Sequence, residues 1–250
     1  MRKFGLIGFP LGHSFSKKFF SEKFEKENLA DCSYDNYPLS SLNQFRKLVT
    51  EIPDLCGLNV TIPYKSEIIQ HIDIIDPEAG EIGAVNVLKI KRQRDEIKIH
   101  GYNSDVTGIM DTLSPWLNDS VTTALVLGTG GSSLAVRFVL KKLGIKVIQV
   151  SRKRKPGVIE YHDVSADILN SCKLIINTTP LGMFPDINTK PDINYNLLTD
   201  KHILFDLVYN PELTSFLKSG MERGCKTLGG ITMLWSQAER SWQIWNNPEY

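Results

Sequence analysis

Thr123-Ala124-Leu125-Val126-Leu127-Gly128-Thr129-Gly130-Gly131-Ser132-Ser133 carries a short apolar run straight into a glycine-rich turn. A helix-period stretch follows over 134–143, and a second apolar run, 146–150, ends at Ser151-Arg152. Strand, glycine turn, helix and strand within about 30 residues match the size of a mononucleotide-binding unit. Glycines there let the backbone approach a pyrophosphate, whose charge then rests on the helix N-terminus. A lone G-x-G would equally serve a tight turn that needs positive φ. The strand before it and the helix after it favour dinucleotide binding.

The end of the second strand chooses between cofactors. An NAD site offers Asp or Glu to the ribose hydroxyls there. This chain has Ser151-Arg152-Lys153-Arg154-Lys155 instead, closed by Pro156-Gly157. A carboxylate would repel a ribose 2′-phosphate, whereas Arg binds it bidentately. A solvated basic loop is the plainer reading of such a run, but coupled to the glycine turn it points to NADP.

Outward from this unit, β-rich runs at 4–9, 57–62, 84–90, 96–100, 173–177 and 203–206 alternate with helical periodicity. Little polar alternation within the runs predicts strands covered on both faces, as in parallel sheets. Phe15, Phe19, Phe20 and Phe24 share one helical face, and so do Leu42, Phe45, Leu48 and Val49. The class is α/β. A helix over about 105–117 is where one domain would give way to the next.

Composition narrows the function. Residues are 42% hydrophobic and 23% charged, with 29 basic against 28 acidic side chains and a formal charge of +1. That excludes disorder and argues against a nucleic-acid or polybasic membrane partner. No apolar run reaches the length of a membrane helix. Met1-Arg2-Lys3 before 4–11 imitates a signal peptide, but Gly5, Gly8, Pro10 and Gly12 interrupt it and no cleavage site follows. A cytoplasmic location is expected. Cys32, Cys56, Cys172 and Cys225 form no C-x-x-C, and the five histidines make no metal-ligand spacing, so buried free thiols are expected and no metal.

Polar residues gather where strands end. His13-Ser14-Phe15-Ser16 follows the first run, with Ser14 also suited to a helix N-cap. In Asn59-Val60-Thr61-Ile62-Pro63-Tyr64-Lys65 the proline ends a strand and Lys65 opens a helix, an unfavourable place for a cation against the helix dipole. Asn86 interrupts the run 84–90, and Asn103-Ser104-Asp105 starts a helix, with an N-cap again the plainer role for Asp105.

Eight such segments, in order, resemble the shikimate dehydrogenase family over nearly the whole chain. They are G-F-P-L-G-H-S-F-S (8–16), G-L-N-V-T-I-P-Y-K (57–65), G-A-V-N (83–86), N-S-D-V-T-G (103–108), G-T-G-G-S-S (128–133), N-T-T-P-L-G-M (177–183), D-L-V-Y-N-P (206–211) and M-L-W-S-Q-A (233–238). The resemblance implies an N-terminal α/β substrate domain over 1–106, completed by a returning C-terminal helix at 231–250, and a Rossmann-type NADP domain over 107–230. It implies that Ser14, Ser16, Asn59, Thr61, Asn86, Tyr209 and Gln237 meet shikimate, and that Lys65 and Asp105 form the catalytic pair. Gly128, Thr129, Gly130, Gly131, Ser132, the run from Ser151 through Arg152, Lys153 and Arg154 to Lys155, Thr178, Leu207 and Gly230 would meet NADP. The implied reaction is reversible NADP-dependent reduction of 3-dehydroshikimate, possible partners being this small molecule and, as an assembly, a homodimer. An oxidoreductase acting on quinate or a folate-linked unit, or a non-catalytic nucleotide-binding regulator, are the alternatives. The chain departs from the family pattern at Lys17, Val87, Ser104, Ser151 and Thr232.

Overall fold

Which strands pair, and in which direction, distinguishes the two halves of the chain. The computed structural model describes residues 1–11, 15–94 and 96–250. Ser14, a sequence-predicted substrate contact, therefore lies outside the described residues. The chain divides into one unit of 1–104 with 237–250 and another of 105–236. The sequence reading draws these lines at 106/107 and 230/231, whereas the contacts draw the second of them inside the last helix.

The first unit contains β1 (Arg2–Gly8), α1 (Phe15–Lys26), β2 (Cys32–Pro38), α2 (Phe45–Glu51), β3 (Leu55–Val60), β4 (Ile74–Ile75), α3 (Pro77–Ile82), β5 (Val87–Gln93) and β6 (Glu96–Tyr102). Its sheet has the order β2-β1-β3-β5-β6-β4. β1 runs parallel to β2 and β3, but β5 is antiparallel to both β3 and β6. The sheet is mixed, which corrects the expectation of parallel strands throughout. The cause is local: two residues separate Gln93 from its partner Glu96, and a hairpin forces its strands antiparallel.

Alternation along β5 sorts its side chains onto two cores. Leu88 and Ile90 join Phe45, Val49, Leu58, Ile68 and Ile99, while Val87 joins Phe4, Phe20, Phe24, Tyr34 and Trp245. Val87, one of the departures from the pattern the sequence resembles, is thus fully buried among aromatic rings. Phe4 stacks on Trp245 at 4.8 Å and Phe20 on Tyr34 at 4.6 Å. Trp245 comes from α8 (Ile231–Asn246), the helix shared by the two units. Its indole N–H donates to Leu88 O at 3.0 Å, and a Cβ on Gly57 would lie 2.3 Å from that nitrogen. Lys89 Nζ donates to Ile244 O and Asn247 O, at 2.9 and 2.6 Å, where the dipole at the end of α8 favours a cation.

The second unit contains α4 (Asp105–Leu113), β7 (Thr123–Leu127), α5 (Gly131–Lys142), β8 (Lys146–Ser151), β9 (Val158–Glu160), α6 (Ala166–Ser171), β10 (Leu174–Asn177), β11 (Ile203–Asp206), α7 (Ser215–Met221) and β12 (Lys226–Leu228). Every pairing is parallel, in the order β12-β11-β10-β7-β8-β9. Numbered from β7, that order reads 6-5-4-1-2-3, the doubly wound arrangement whose direction reverses between its first and fourth strands. Ligands of such sheets bind beyond the carboxyl ends of the strands at that reversal, here β7 and β10.

Several expectations are corrected. Lys65 opens no α-helix; it lies in a turn before a short 3-10 helix, Glu67–His71, so the dipole argument for it lapses. Asn86 precedes β5 and does not interrupt it. α4 ends at Leu113, and Ser114–Trp116 continues as a 3-10 turn. Cys32, Cys172 and Cys225 are buried free thiols, but Cys56 is part-exposed. No helix among the described residues is long and apolar enough to cross a membrane.

Candidate active site

In the first unit the candidate side chains sit on the connections that leave the sheet. Thr61 follows β3, its N–H donating to Ile7 O at 2.9 Å, and Tyr64 N–H closes the turn onto Thr61 O. Lys65 is the next residue. Its carbonyl accepts from Val85 N–H at 2.7 Å, which ties the Lys65 turn to the segment carrying Asn86. Asn103 Nδ2 donates to Ala84 O at 2.8 Å, and Ser104 N–H donates to Asn86 Oδ1 at 2.7 Å. Three stretches far apart in sequence are therefore bound into one corner. Asp105 follows Ser104 by a single peptide bond, about 3.8 Å between Cα atoms, and is itself buried.

A buried polar chain supports this corner from behind. Tyr34 hydroxyl donates to Asn59 Oδ1 at 2.9 Å, and Asn59 Nδ2 donates to Ser241 Oγ at 2.9 Å and to Asn86 O at 3.3 Å. Ser241 Oγ lies 3.2 Å from Ser104 Oγ, which in turn reaches Gln237 Oε1 at 3.4 Å. Ser16 hydroxyl bonds the Tyr34 hydroxyl, whose pKa burial pushes up. Ser16, Asn86 and Gln237 are thus linked through one network, with the Ser104 hydroxyl as one of its links. Asn59 has its amide committed to Tyr34, Asn86 and Ser241, so it holds Asn86 from behind and is placed as a support. Polar groups in an aromatic core are tolerated only when paired in this way. Tyr34 and Ser241 escaped sequence reading because each has the spacing of an ordinary core position.

A cavity of about 440 Å³ elsewhere in this unit is lined by Ser40, Leu42, Asn43, Tyr64, Glu67 and His71 among others, and by none of the expected site residues.

In the second unit the glycine turn leaves β7 at the point of reversal. Gly128 has φ 114°, and a Cβ on it would lie 2.6 Å from Thr178 Oγ1, so both conformation and space require glycine. Gly128 N–H donates to Val150 O, while Thr178 bonds Leu127 O through its N–H and its hydroxyl. Gly130 differs. Its φ of −82° suits any residue, and a Cβ would meet nothing within 4 Å. It faces open space at the N-terminus of α5, which no side chain caps. Ser133 Oγ donates to Gly130 O and Gln149 Nε2 to Gly128 O, bracing the turn. Gly131 and Ser132 begin α5. Open space before uncapped helical N–H groups, with cations at the end of β8, fits a phosphate-bearing dinucleotide.

The basic loop is not a uniform patch. Arg152 and Lys153 are exposed after Ser151, and Lys155 Nζ reaches back to Thr129 Oγ1 at 3.3 Å. Arg154 turns away: its guanidinium donates to Asp163 Oδ2 at 2.7 Å and its backbone N–H to Glu160 Oε1 at 2.9 Å. The Asp163 carboxyl is held below its ordinary range, first by Glu160 N–H and then by Arg154.

At the ends of β10 and β11 a second buried network holds the segments that carry Thr178, Leu207 and Tyr209. Asp206 Oδ1 accepts from Asn177 Nδ2 at 2.9 Å and Val208 N–H at 3.0 Å, and its Oδ2 accepts from Thr214 Oγ1 at 2.6 Å. Burial nevertheless pushes its carboxyl up to about 6. Asn177 Oδ1 accepts from the N–H and hydroxyl of Thr179. A Cβ on Gly230 would lie 2.5 Å from Leu207 O, so that backbone approach also needs glycine. Tyr209 is part-buried, with its hydroxyl pKa raised by burial. Neither Asn177 nor Asp206 entered the expected site; a polar residue ending each of two apolar strands was the available signal.

A family model described as the shikimate dehydrogenase substrate binding domain matches residues 6–88. A shikimate dehydrogenase (NADP(+)) of Clostridium beijerinckii is 36% identical, the alignment covering 98% of this chain and 92% of the relative. Shikimate dehydrogenase 1 of Peptoclostridium difficile superposes with a TM-score of 0.83 at 36% identity, covering 98% and 91% of the two chains. The Thermus thermophilus enzyme, solved with NADP(H) and shikimate, gives 0.84 at 28% identity over 98% and 94%. Sequence and fold agree from end to end with these relatives, and the chain belongs to the shikimate dehydrogenase family.

Proposed function

We propose that this protein catalyses the reversible, NADP-dependent reduction of 3-dehydroshikimate to shikimate. The observation that supports the reading is the hydrogen-bonded corner of the first unit, which fixes the Lys65 turn, Asn86 and Ser104 together, Asp105 being the residue after Ser104 in the chain. Bound NADPH would supply the hydride. The glycine turn, open at Gly130, and Arg152 at the end of β8 would hold its phosphates.

The chain's own residues must then orient the ketone and manage one proton. The Lys65 ammonium stabilises negative charge developing on the substrate oxygen and donates a proton to it; in the reverse direction the neutral amine accepts that proton. Asp105 accepts a hydrogen bond from the neighbouring substrate hydroxyl, setting the ring's orientation. Ser14 receives the substrate carboxylate as a hydroxyl donor, and Ser16 turns its one proton from the Tyr34 oxygen to join it, without a buried counter-charge. Thr61, Asn86, Tyr209 and Gln237 complete the contacts, and Asn59 backs Asn86. We place the reaction in the cytoplasm, where the four free thiols would stay reduced.

The test is nicotinamide absorbance with shikimate and with quinate, each against NADP and NAD. Turnover with shikimate, at least about tenfold better with NADP than with NAD, is expected. Absence of turnover with shikimate would overturn the substrate, and equal use of NAD would reduce Arg152 to a surface charge.

A further inference from the structure

β8 and β9 pair in parallel with Ser151 directly beside Glu160, about 4.8 Å away, so both side chains rise from the same face of the sheet. Ser151 occupies the strand end where an NAD site keeps its ribose-binding carboxylate. The chain has thus kept an acid one strand away from that position. Asp163 stands with it: Glu160 N–H donates to Asp163 Oδ2 at 3.0 Å, and the two residues cap the 3-10 turn Tyr161–Asp163 reciprocally. Two carboxylates so near a ribose 2′-phosphate would oppose it. Arg154 lies on both, through its backbone N–H to Glu160 and its guanidinium to Asp163. The outer oxygens of the pair face the exposed His162 ring at 3.3 and 3.4 Å. Among the described residues, Arg152 and Lys153 form no ion pair.

We infer that Arg154 is a positioning and masking residue for cofactor choice: its guanidinium offsets the Asp163 carboxylate and its backbone N–H holds Glu160, so that the ribose end of the site accepts a 2′-phosphate on Arg152 and Lys155. This rests on the NADP reading above and revises one part of it, since the sequence alone sets Arg154 among the cofactor contacts. The same clamp aims the loop. With Arg154 held on Asp163, the following residue turns back and Lys155 reaches Thr129 in the glycine turn. Without the guanidinium the turn keeps two uncompensated carboxylates, with Glu160 beside Ser151, the arrangement that disfavours a 2′-phosphate and suits the free ribose hydroxyl of NAD.

Calorimetric binding of adenosine 2′,5′-bisphosphate and of 5′-AMP to the full chain separates these roles without relying on turnover. Arg154→Met is expected to lower the preference for the bisphosphate about tenfold while 5′-AMP binding holds, which also reports that the unit is folded. Adding Glu160→Gln and Asp163→Asn to Arg154→Met is expected to restore the preference to within about threefold of native, because the amides keep the acceptors and remove the charge. Should Arg154→Met fail to fold, Arg154→Gln is read in the same way. A triple variant no better than the single one would show that Arg154 touches the phosphate itself and would overturn the inference, as would an Arg154→Met protein with native preference. A native protein with no preference for the 2′-phosphate would instead sink the NADP reading.

Discussion

Asp206→Asn should make the protein more stable at neutral pH, and the gain should vanish in acid. The Asp206 side chain is fully buried, and burial raises its carboxyl from 3.8 to about 6 against the opposing pull of Thr214, Val208 and Asn177. Below the unfolded value both states hold the proton and the site costs nothing. As pH rises from about 4 to about 6 the unfolded chain releases its proton while the folded one retains it, so stability falls across that window. About two pH units at 1.36 kcal/mol each make the full loss about 3 kcal/mol, complete above about pH 7. Asparagine can keep the geometry. Its Oδ1 can accept from Asn177 and Val208, and its Nδ2 can donate to the Thr214 oxygen that Oδ2 now accepts from. Urea unfolding followed by far-ultraviolet circular dichroism at about pH 4.5 and pH 7.5 is the assay. The stability of the variant relative to native should grow by about 2 kcal/mol between the two. A variant less stable than native by the same amount at both pH values would refute the reasoning. It would mean that three hydrogen bonds to the charged form outweigh its burial.

Gly57→Ala should cost roughly 3 kcal/mol in the same assay, because the new methyl group displaces the Trp245 indole and breaks its bond to Leu88; native stability would show that the ring has room to move. Gly130→Ala should leave stability within about 0.5 kcal/mol, since its Cβ meets nothing. Calorimetry should nevertheless show NADP binding at least about tenfold weaker, the loss expected if phosphate occupies that open space; unchanged binding would remove the turn from the cofactor site. Lys65→Ala should lower turnover by roughly 10²–10⁴ while shikimate affinity shifts far less, because its interaction strengthens as charge develops on the oxygen. Near-native turnover would end the mechanism.

What sequence reveals here depends on how each segment is buried. β7, β10 and β11 are covered on both faces and read as unbroken apolar runs, so the second unit is legible from Thr123 onward. β2 reads Cys-Ser-Tyr-Asp-Asn-Tyr-Pro and lies at a sheet edge, with no periodicity strong enough to announce it. β9 and β12 are three residues each, too short to show any period. The hairpin direction of β5 and β6 was missed because their apolar residues resemble those of a covered parallel sheet, while the turn between them has no glycine. Lys65 was misplaced for a related reason. Pro63 marks where β3 cannot continue but leaves the next element open, and only Val85 N–H on Lys65 O defines the turn. Asn86 and Ser104 entered the reading through short motifs, whereas Tyr34, Ser241 and Asp206 owe their roles to Asn59, Ser104 and Thr214, each eight or more positions away, a separation that local pattern does not encode.

The segment 237–250 belongs to the unit formed by 1–104, and with it come the two tryptophans that fill the aromatic core around Phe4, Phe20 and Phe24. During synthesis the first sheet is therefore made before the segment that covers it and must wait, its aromatic face uncovered, until residues 237–250 have left the ribosome. At about 5–20 residues per second that delay is on the order of ten seconds. The unit spanning 105–236 meets no such delay, because its strands are contiguous in the chain. The order of translation thus favours the nucleotide-binding half as the first to fold, and makes the nascent substrate-binding half the part most in need of protection by chaperones.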